Sequence, residues 1–151
     1  MNKEEYVDFD TAKLLKEKGF DWKTDFVWYE HLPPSIDWRN KANQQAMDYF
    51  YFNETIEHHS YYRNCDKKPS YISGDIYSAP TQQMACRWLY EEKGFYIAIL
   101  PCEKGFYAMI YHTGVSRHLE YLSLVQDKEH DNPTPQQAIE SALQYCLTKL
   151  I

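Results

Sequence analysis

The sequence predicts an α+β protein, with an antiparallel sheet of three to five strands and helices packed against it. The C-terminal half has the order helix, strand, strand, strand, helix, and short turns join the three strands as in a meander. The chain has 151 residues, of which 44% are hydrophobic and 17% aromatic. That is enough apolar material for a buried core and too much for a disordered chain. We therefore expect residues 1–151 to form a single domain.

The N-terminal half is predicted to begin with a helix over "DTAKLLKEKGF", capped by Asp10 and followed by Gly19 as a left-handed residue. A strand is predicted over "DFVWYEHL" because this stretch is rich in aromatic and branched residues. Residues 33–71 form an aromatic-rich, insertion-like segment with a predicted helix near Ile36–Tyr49. A short strand over "YISGDIY" leads out of it.

The C-terminal half has better-marked boundaries. Its first helix lies in "SAPTQQMACRWLYEEKG", with Ser78 as the predicted cap, Pro80 in the first turn and Gly94 after the last turn. Strands are then predicted over "FYIAIL", "FYAMIYH" and "RHLEYLSLV". The last helix starts at Thr134, which forms a capping box with Gln137, and carries a continuous apolar face.

Charge and composition disfavour several classes of partner. The formal net charge is −6, and no basic run is longer than Lys67-Lys68, whereas binding to phosphate backbones needs clustered Lys and Arg. The α-β-β-β-α order is also that of double-stranded RNA-binding domains. Those domains grip phosphates at the start of the last helix, where "TPQQAIES" has no Lys or Arg. We therefore expect no nucleic-acid partner.

The cysteines and the apolar runs bear on the cellular compartment. The four cysteines are scattered without a C-x-x-C pair, which favours reduced structural thiols. No apolar run approaches the length of a membrane span, and "MNKEEYVDFD" lacks the apolar core of a signal peptide. The expectation is a cytoplasmic protein that does not associate with membranes.

Few residues suggest catalysis or a bound metal. Phosphate-binding glycine loops and nucleophile-elbow motifs are absent from the sequence, so no cofactor and no catalytic residue are predicted, and a non-enzymatic role is favoured. The weak metal candidates are His58 and His59, since a helical Glu54/His58 pair would place two ligands together. An ordinary exposed pairing is the simpler interpretation.

The predicted sheet offers the better clue to binding. Its strands are apolar on both faces, and the helices can cover only one. The N-terminal half covers the second face, or that face is a binding platform or a dimer interface, for which tyrosine is well suited. The candidate binding residues are Tyr96, Tyr107, Tyr111, Tyr121, His112 and His118.

Two stretches resemble a known family. "DTAKLLKEKGF" and "SAPTQQMACRWLYEEKGFYIAI" are similar to segments of an uncharacterised family of small phage and prophage proteins of gut Bacteroidota, which share an "APTQ…WL" helix and a following strand. The resemblance implies a small accessory protein, often carried on a mobile element. It implies no activity and no site residues.

These observations lead to two main hypotheses about function, with an enzyme centred on Glu54, His58 and His59 or on His112 and His118 as a third. The first is a non-enzymatic protein-interaction module that binds an unknown protein or a second copy of itself. The second is a small-ligand binder, with a nucleotide as one option, that uses the aromatic face of the sheet because tyrosine rings can stack on a base.

Overall fold

The computed structural model describes residues 5–30, 55–67, 74–113, 119–125 and 132–151. Within these ranges it shows helices together with two antiparallel sheets of three strands each. The α+β class and the α-β-β-β-α order of the C-terminal half are confirmed. The chain divides into two compact units, the first formed by Met1–Phe20 with Pro80–Ile151 and the second by Asp21–Ala79. The single domain with an insertion-like segment at 33–71 stays a prediction.

Along the chain the elements are α1 (Phe9–Glu17), β1 (Thr24–Tyr29), β2 (Thr55–Tyr62), β3 (Ile76–Ser78), α2 (Gln82–Lys93), β4 (Phe95–Cys102), β5 (Gly105–Thr113), β6 (Leu119–Val125) and α3 (Pro135–Tyr145), which a π-helical segment over Cys146–Leu150 prolongs.

Helix α1 begins two residues earlier than the sequence predicts. The side chain of Asp8, not Asp10, accepts a hydrogen bond from the Thr11 N–H at 2.8 Å and caps the first turn. The prediction of Asp10 as the cap was wrong because Phe9 is already helical and buried. Gly19 follows the helix with φ +89°, as predicted, and this left-handed conformation is the one that glycine adopts at little cost.

Helix α2 has a different cap from the predicted one. Thr81 accepts the Met84 N–H at 3.1 Å and the helix starts at Gln82, so the assignment of Ser78 as the cap and Pro80 to the first turn was wrong. Ser78 belongs to β3, where it pairs with Val27. Pro80 precedes the cap, and its carbonyl accepts the Val7 N–H at 3.1 Å. The predicted end of the helix at Gly94, with φ +78°, is confirmed.

The first unit packs its helices against one face of the sheet β4-β5-β6. Helix α3 contacts all three strands, and α2 contacts β4. Ala108 and Ile110 on β5 are fully buried, as are five residues of α3 and its π-helical continuation, namely Ala138, Ala142, Leu143, Cys146 and Leu147. Thr134 caps α3 by accepting the Gln137 N–H at 3.2 Å, as predicted. The apolar face of the last helix is therefore the core of this unit.

The second unit is a sheet in the order β2-β1-β3. Its core consists of Val27, Tyr29, Tyr62 and Ile76. The register between β1 and β2 shifts between Thr24 and Phe26, and Tyr61, with φ +59°, lies in the extra residues of β2. Such a bulge explains why a non-glycine residue takes a positive φ here.

Some predictions fall on residues outside the described ranges. These are the helix near Ile36–Tyr49, Glu54 and His118. Among the helices that are described, none combines the length and apolar character needed to cross a bilayer.

Candidate functional site

Three of the predicted tyrosines, Tyr96, Tyr107 and Tyr111, lie on the sheet face opposite the helices. Backbone register pairs Tyr96 with Tyr111 and Leu100 with Tyr107, and alternation along each strand places these four side chains on one face, with Ala108 and Ile110 on the other. We call this surface, together with Met109, the aromatic face. Register also pairs Tyr121 of β6 with Tyr111.

The aromatic face keeps part of its surface exposed. Tyr96 is 45% exposed, and its ring packs edge-on against that of Tyr90, 5.9 Å away, which is itself 43% exposed. Tyr107 and Tyr111 are half-buried. Neither β4 nor β5 contributes a charged side chain to this face. The part of the face that β4 and β5 form is thus apolar, rich in hydroxyl groups and uncharged.

The structure separates His112 from this face. His112 alternates away from Tyr111, lies opposite Glu120 in the register of β5 and β6, and packs its ring 4.8 Å from Phe95. It therefore does not complete the tyrosine cluster. His118, the other predicted histidine, lies outside the described residues.

The metal hypothesis for His58 and His59 rested on a helix that is not formed. Both residues lie in strand β2, where residues four apart are about 13 Å from each other rather than on one helical face. The exposed His58 side chain packs against Phe26, with ring centroids 5.4 Å apart. Among the described residues no group of three His, Cys, Asp or Glu is placed to hold a metal ion.

The structure also shows a polar cluster that was not predicted. It joins α1, α2 and α3 and consists of Asp8, Thr11, Gln82, Glu140 and Gln144. Glu140 accepts the Asp8 main-chain N–H at 2.9 Å and a Gln82 side-chain N–H at 2.7 Å. Gln144 donates to the Thr11 hydroxyl at 3.0 Å and to Asp8 at 3.3 Å. The cluster thereby holds the starts of α1 and α2 against the middle of α3.

Burial shapes the acid–base chemistry of this region. It raises the pKa of Glu140 to about 7, and the charge of Asp8 adds to the effect, while hydrogen bonds from Thr11, Asp8 and Gln82 oppose it. Burial also raises the pKa of Cys86 to about 12, with a further contribution from Glu140, and that of Cys146 to about 12. Both thiols are therefore protonated at neutral pH, which is the wrong state for a nucleophile.

Two clefts open beside the polar cluster. The larger has a volume of about 500 Å³, and its lining includes Gln82, Gln83, Gln136, Ile97, Ile99 and Ile139. The smaller has about 230 Å³ and is lined by Glu140 and Asp8 among others. Gln82 and Gln136 line both clefts, so the two are neighbours on the same side of the first unit.

Comparisons with known proteins do not identify the chain. It matches no protein-family model, and neither a curated protein nor a solved structure is similar to it. The resemblance to phage and prophage proteins stays a prediction. The aromatic face and the clefts are therefore the features of the described residues that bear on function.

Proposed function

We propose that this protein is a non-enzymatic protein-interaction module whose aromatic face packs against another protein. One observation carries the proposal: the sheet face opposite the helices is made of partly exposed Tyr, Leu and Met side chains without a charge among those of β4 and β5. Tyrosine contributes a large contact area with little loss of side-chain entropy and adds a hydroxyl for hydrogen bonding. An uncharged patch on a chain of net charge −6 suits contact with a protein better than contact with a nucleic acid.

The cellular setting is part of the same proposal. All four cysteines are free, which suits a reducing compartment and supports the proposal of a cytoplasmic protein. The resemblance to phage and prophage proteins supports an accessory role in a mobile element, with a host or phage protein as the partner. A second copy of the chain is the other occupant that the experiment below distinguishes.

Native mass spectrometry of the protein purified from its own host tests the proposal. Three forms are compared: the wild type, Tyr107→Glu, and Tyr61→Glu as the matched control, because Tyr61 is 71% exposed and lies in the other sheet. A buried charge at a tyrosine contact costs at least about 2 kcal/mol, or about 30-fold in affinity. The expected result is one bound protein in the wild type and in Tyr61→Glu that is lost from Tyr107→Glu.

Two results would count against the proposal. One is a set of bound masses that is the same in all three forms, and the other is the absence of any bound protein in the wild type. Tyr96→Glu provides a second variant at a more exposed position of the face, so that loss of binding in Tyr107→Glu can be separated from loss of folding. A mass of twice the chain would identify the partner as a second copy.

A further inference from the structure

The larger cleft, defined above, has the size of a small-molecule site. Its volume of about 500 Å³ falls in the range of about 300–1,000 Å³ that is usual for ligand pockets. It lies at the first turn of α2, beside the start of α3 and over strand β4. A single ordered water occupies about 30 Å³, so the cleft has room for an organic molecule.

One wall of the cleft is apolar and incompletely buried. Ile97, Ile99 and Ile139 line it and are half-buried, although they lie on the helix side of the sheet, where Ala108 and Ile110 are fully buried. Covering three isoleucine side chains is favourable in proportion to the apolar area removed from water. A ligand with a flat apolar surface would provide that cover.

The lining also presents amides, of which the Gln82 amide is held in place by hydrogen bonds. Gln82 is only 7% exposed, and both of its side-chain N–H groups are used, one by the Gln136 carbonyl at 3.0 Å and one by Glu140 at 2.7 Å. These two bonds leave the side-chain carbonyl oxygen of Gln82 as an acceptor, which receives no hydrogen bond from the described residues. Gln83 and Gln136 add exposed side-chain amides, and the first turn of α2 adds main-chain N–H groups without intrahelical acceptors.

The charges in and near the cleft disfavour an ionic ligand. Its lining contains Glu5 but no Lys, Arg or His, so a phosphate or carboxylate would find no counter-charge. In the neighbouring cleft both carboxylates already accept hydrogen bonds on both oxygens, Asp8 from Thr11 and Gln144 and Glu140 from Asp8 and Gln82, so neither is readily available to a cation. The raised pKa of Glu140 further reduces its negative charge near neutral pH.

We infer that this cleft binds an uncharged heterocycle with a hydrogen-bond donor and an acceptor side by side along one edge, the chemical class of nucleobases and nucleosides. The flat ring covers the isoleucines, and its edge pairs with the amides of the glutamine side chains. Glutamine is a residue that recognises adenine bidentately in nucleic-acid complexes. The inference is independent of the aromatic face, because it concerns the opposite side of the sheet and a different class of ligand.

Methyl NMR of isoleucine-labelled protein tests the inference directly. Adenosine, guanosine, cytidine and uridine are added separately at millimolar concentration. At least one nucleoside is expected to shift the methyl signals of Ile97, Ile99 and Ile139, while those of the buried Ile76, which lies in the other sheet, stay in place. The corresponding nucleoside monophosphates are expected to bind more weakly than that nucleoside, because the lining offers them no cation.

Glutamine variants then locate the contact. Gln83→Ala and Gln136→Ala are each expected to weaken nucleoside binding about three- to tenfold, the effect of one neutral hydrogen bond. Gln137→Ala is the matched control, since Gln137 is exposed, lies next to Gln136 on α3 and lines only the smaller cleft. Unchanged Ile110 signals show that each variant is folded.

Three results would overturn the inference. The first is that no nucleoside shifts the three cleft methyl signals. The second is tighter binding of a monophosphate than of its nucleoside, and the third is tighter binding of N-acetylglycine methylamide, a peptide-like amide without a ring, than of any nucleoside. Nucleoside binding that is equally tight in the wild type, Gln83→Ala and Gln136→Ala would also contradict the proposed contact.

Discussion

Glu140 makes the stability of the first unit depend on pH in a direction opposite to that of most carboxylates. Its pKa rises from 4.5 to about 7 on folding, mainly because the side chain is buried. Between these two values the native protein retains the proton while the unfolded chain has lost it, so the free energy of unfolding falls as pH rises through this window and levels off above it. Below about pH 4.5 both states are protonated and the effect is absent.

The magnitude follows from the same two pKa values. Each pKa unit corresponds to about 1.4 kcal/mol, so ionisation of Glu140 costs the native state up to about 3 kcal/mol at pH 8. Glu140→Gln removes the ionisable proton but keeps an oxygen that can accept from Asp8 or Gln82. Relative to the wild type, this variant is therefore expected to become about 2.5 kcal/mol more stable as the pH rises from 5 to 8, since a small part of the effect is already present at pH 5.

Urea unfolding at several pH values measures this difference. The helical circular dichroism signal is followed, since α1, α2 and α3 all contribute to it, and the wild type is compared with Glu140→Gln at each pH. Glu92→Gln is the matched control because Glu92 is exposed on α2, and its difference from the wild type should not change with pH. A Glu140→Gln variant whose free energy of unfolding differs from that of the wild type by the same amount at pH 5 and pH 8 would refute the raised pKa of Glu140.

Four further substitutions, in three tests, probe individual elements by the same unfolding assay. Thr81→Ala should cost about 1 kcal/mol because it removes the cap of α2, and no loss would contradict Thr81 as the cap. Gly105→Ala should destabilise far more than Gly19→Ala: the new Cβ would lie 2.3 Å from the Asn132 carbonyl oxygen, whereas nothing lies within 4 Å at Gly19. Similar losses for the two would argue against the close approach at Gly105. Ser78→Ala should leave stability unchanged or raise it by up to about 1 kcal/mol, since the buried Ser78 hydroxyl has no hydrogen-bond partner among the described residues; a clear loss would indicate a partner.

Features set by neighbouring residues were predictable from sequence. The capping of α3 by Thr134 depends on a residue three positions away, and the left-handed Gly94 follows from local backbone preference. The meander follows from alternating apolar strands joined by short turns. In each case the deciding interaction lies within one turn or one hairpin.

Features set by distant residues were not predictable. Ser78 and Thr81 are both suitable caps, and the choice is made by the pairing of Ser78 with Val27 in a sheet. The polar cluster joins Asp8 to Glu140, 132 positions apart, and no spacing motif marks such a contact. The sequence signal that could have indicated the cluster is the pair Glu140 and Gln144, which lie one helical turn apart at the edge of the apolar face of α3.

Photo-crosslinking from the aromatic face in the host cell tests most directly whether this face binds another protein. A photoreactive phenylalanine derivative replaces Tyr96 in one variant and Tyr61 in a second, so that the same group is presented on each of the two sheets. If the aromatic face binds one protein, position 96 is expected to give one discrete protein adduct that is absent from position 61. The same adducts from both positions, or none from position 96, would contradict a protein-binding role for the aromatic face.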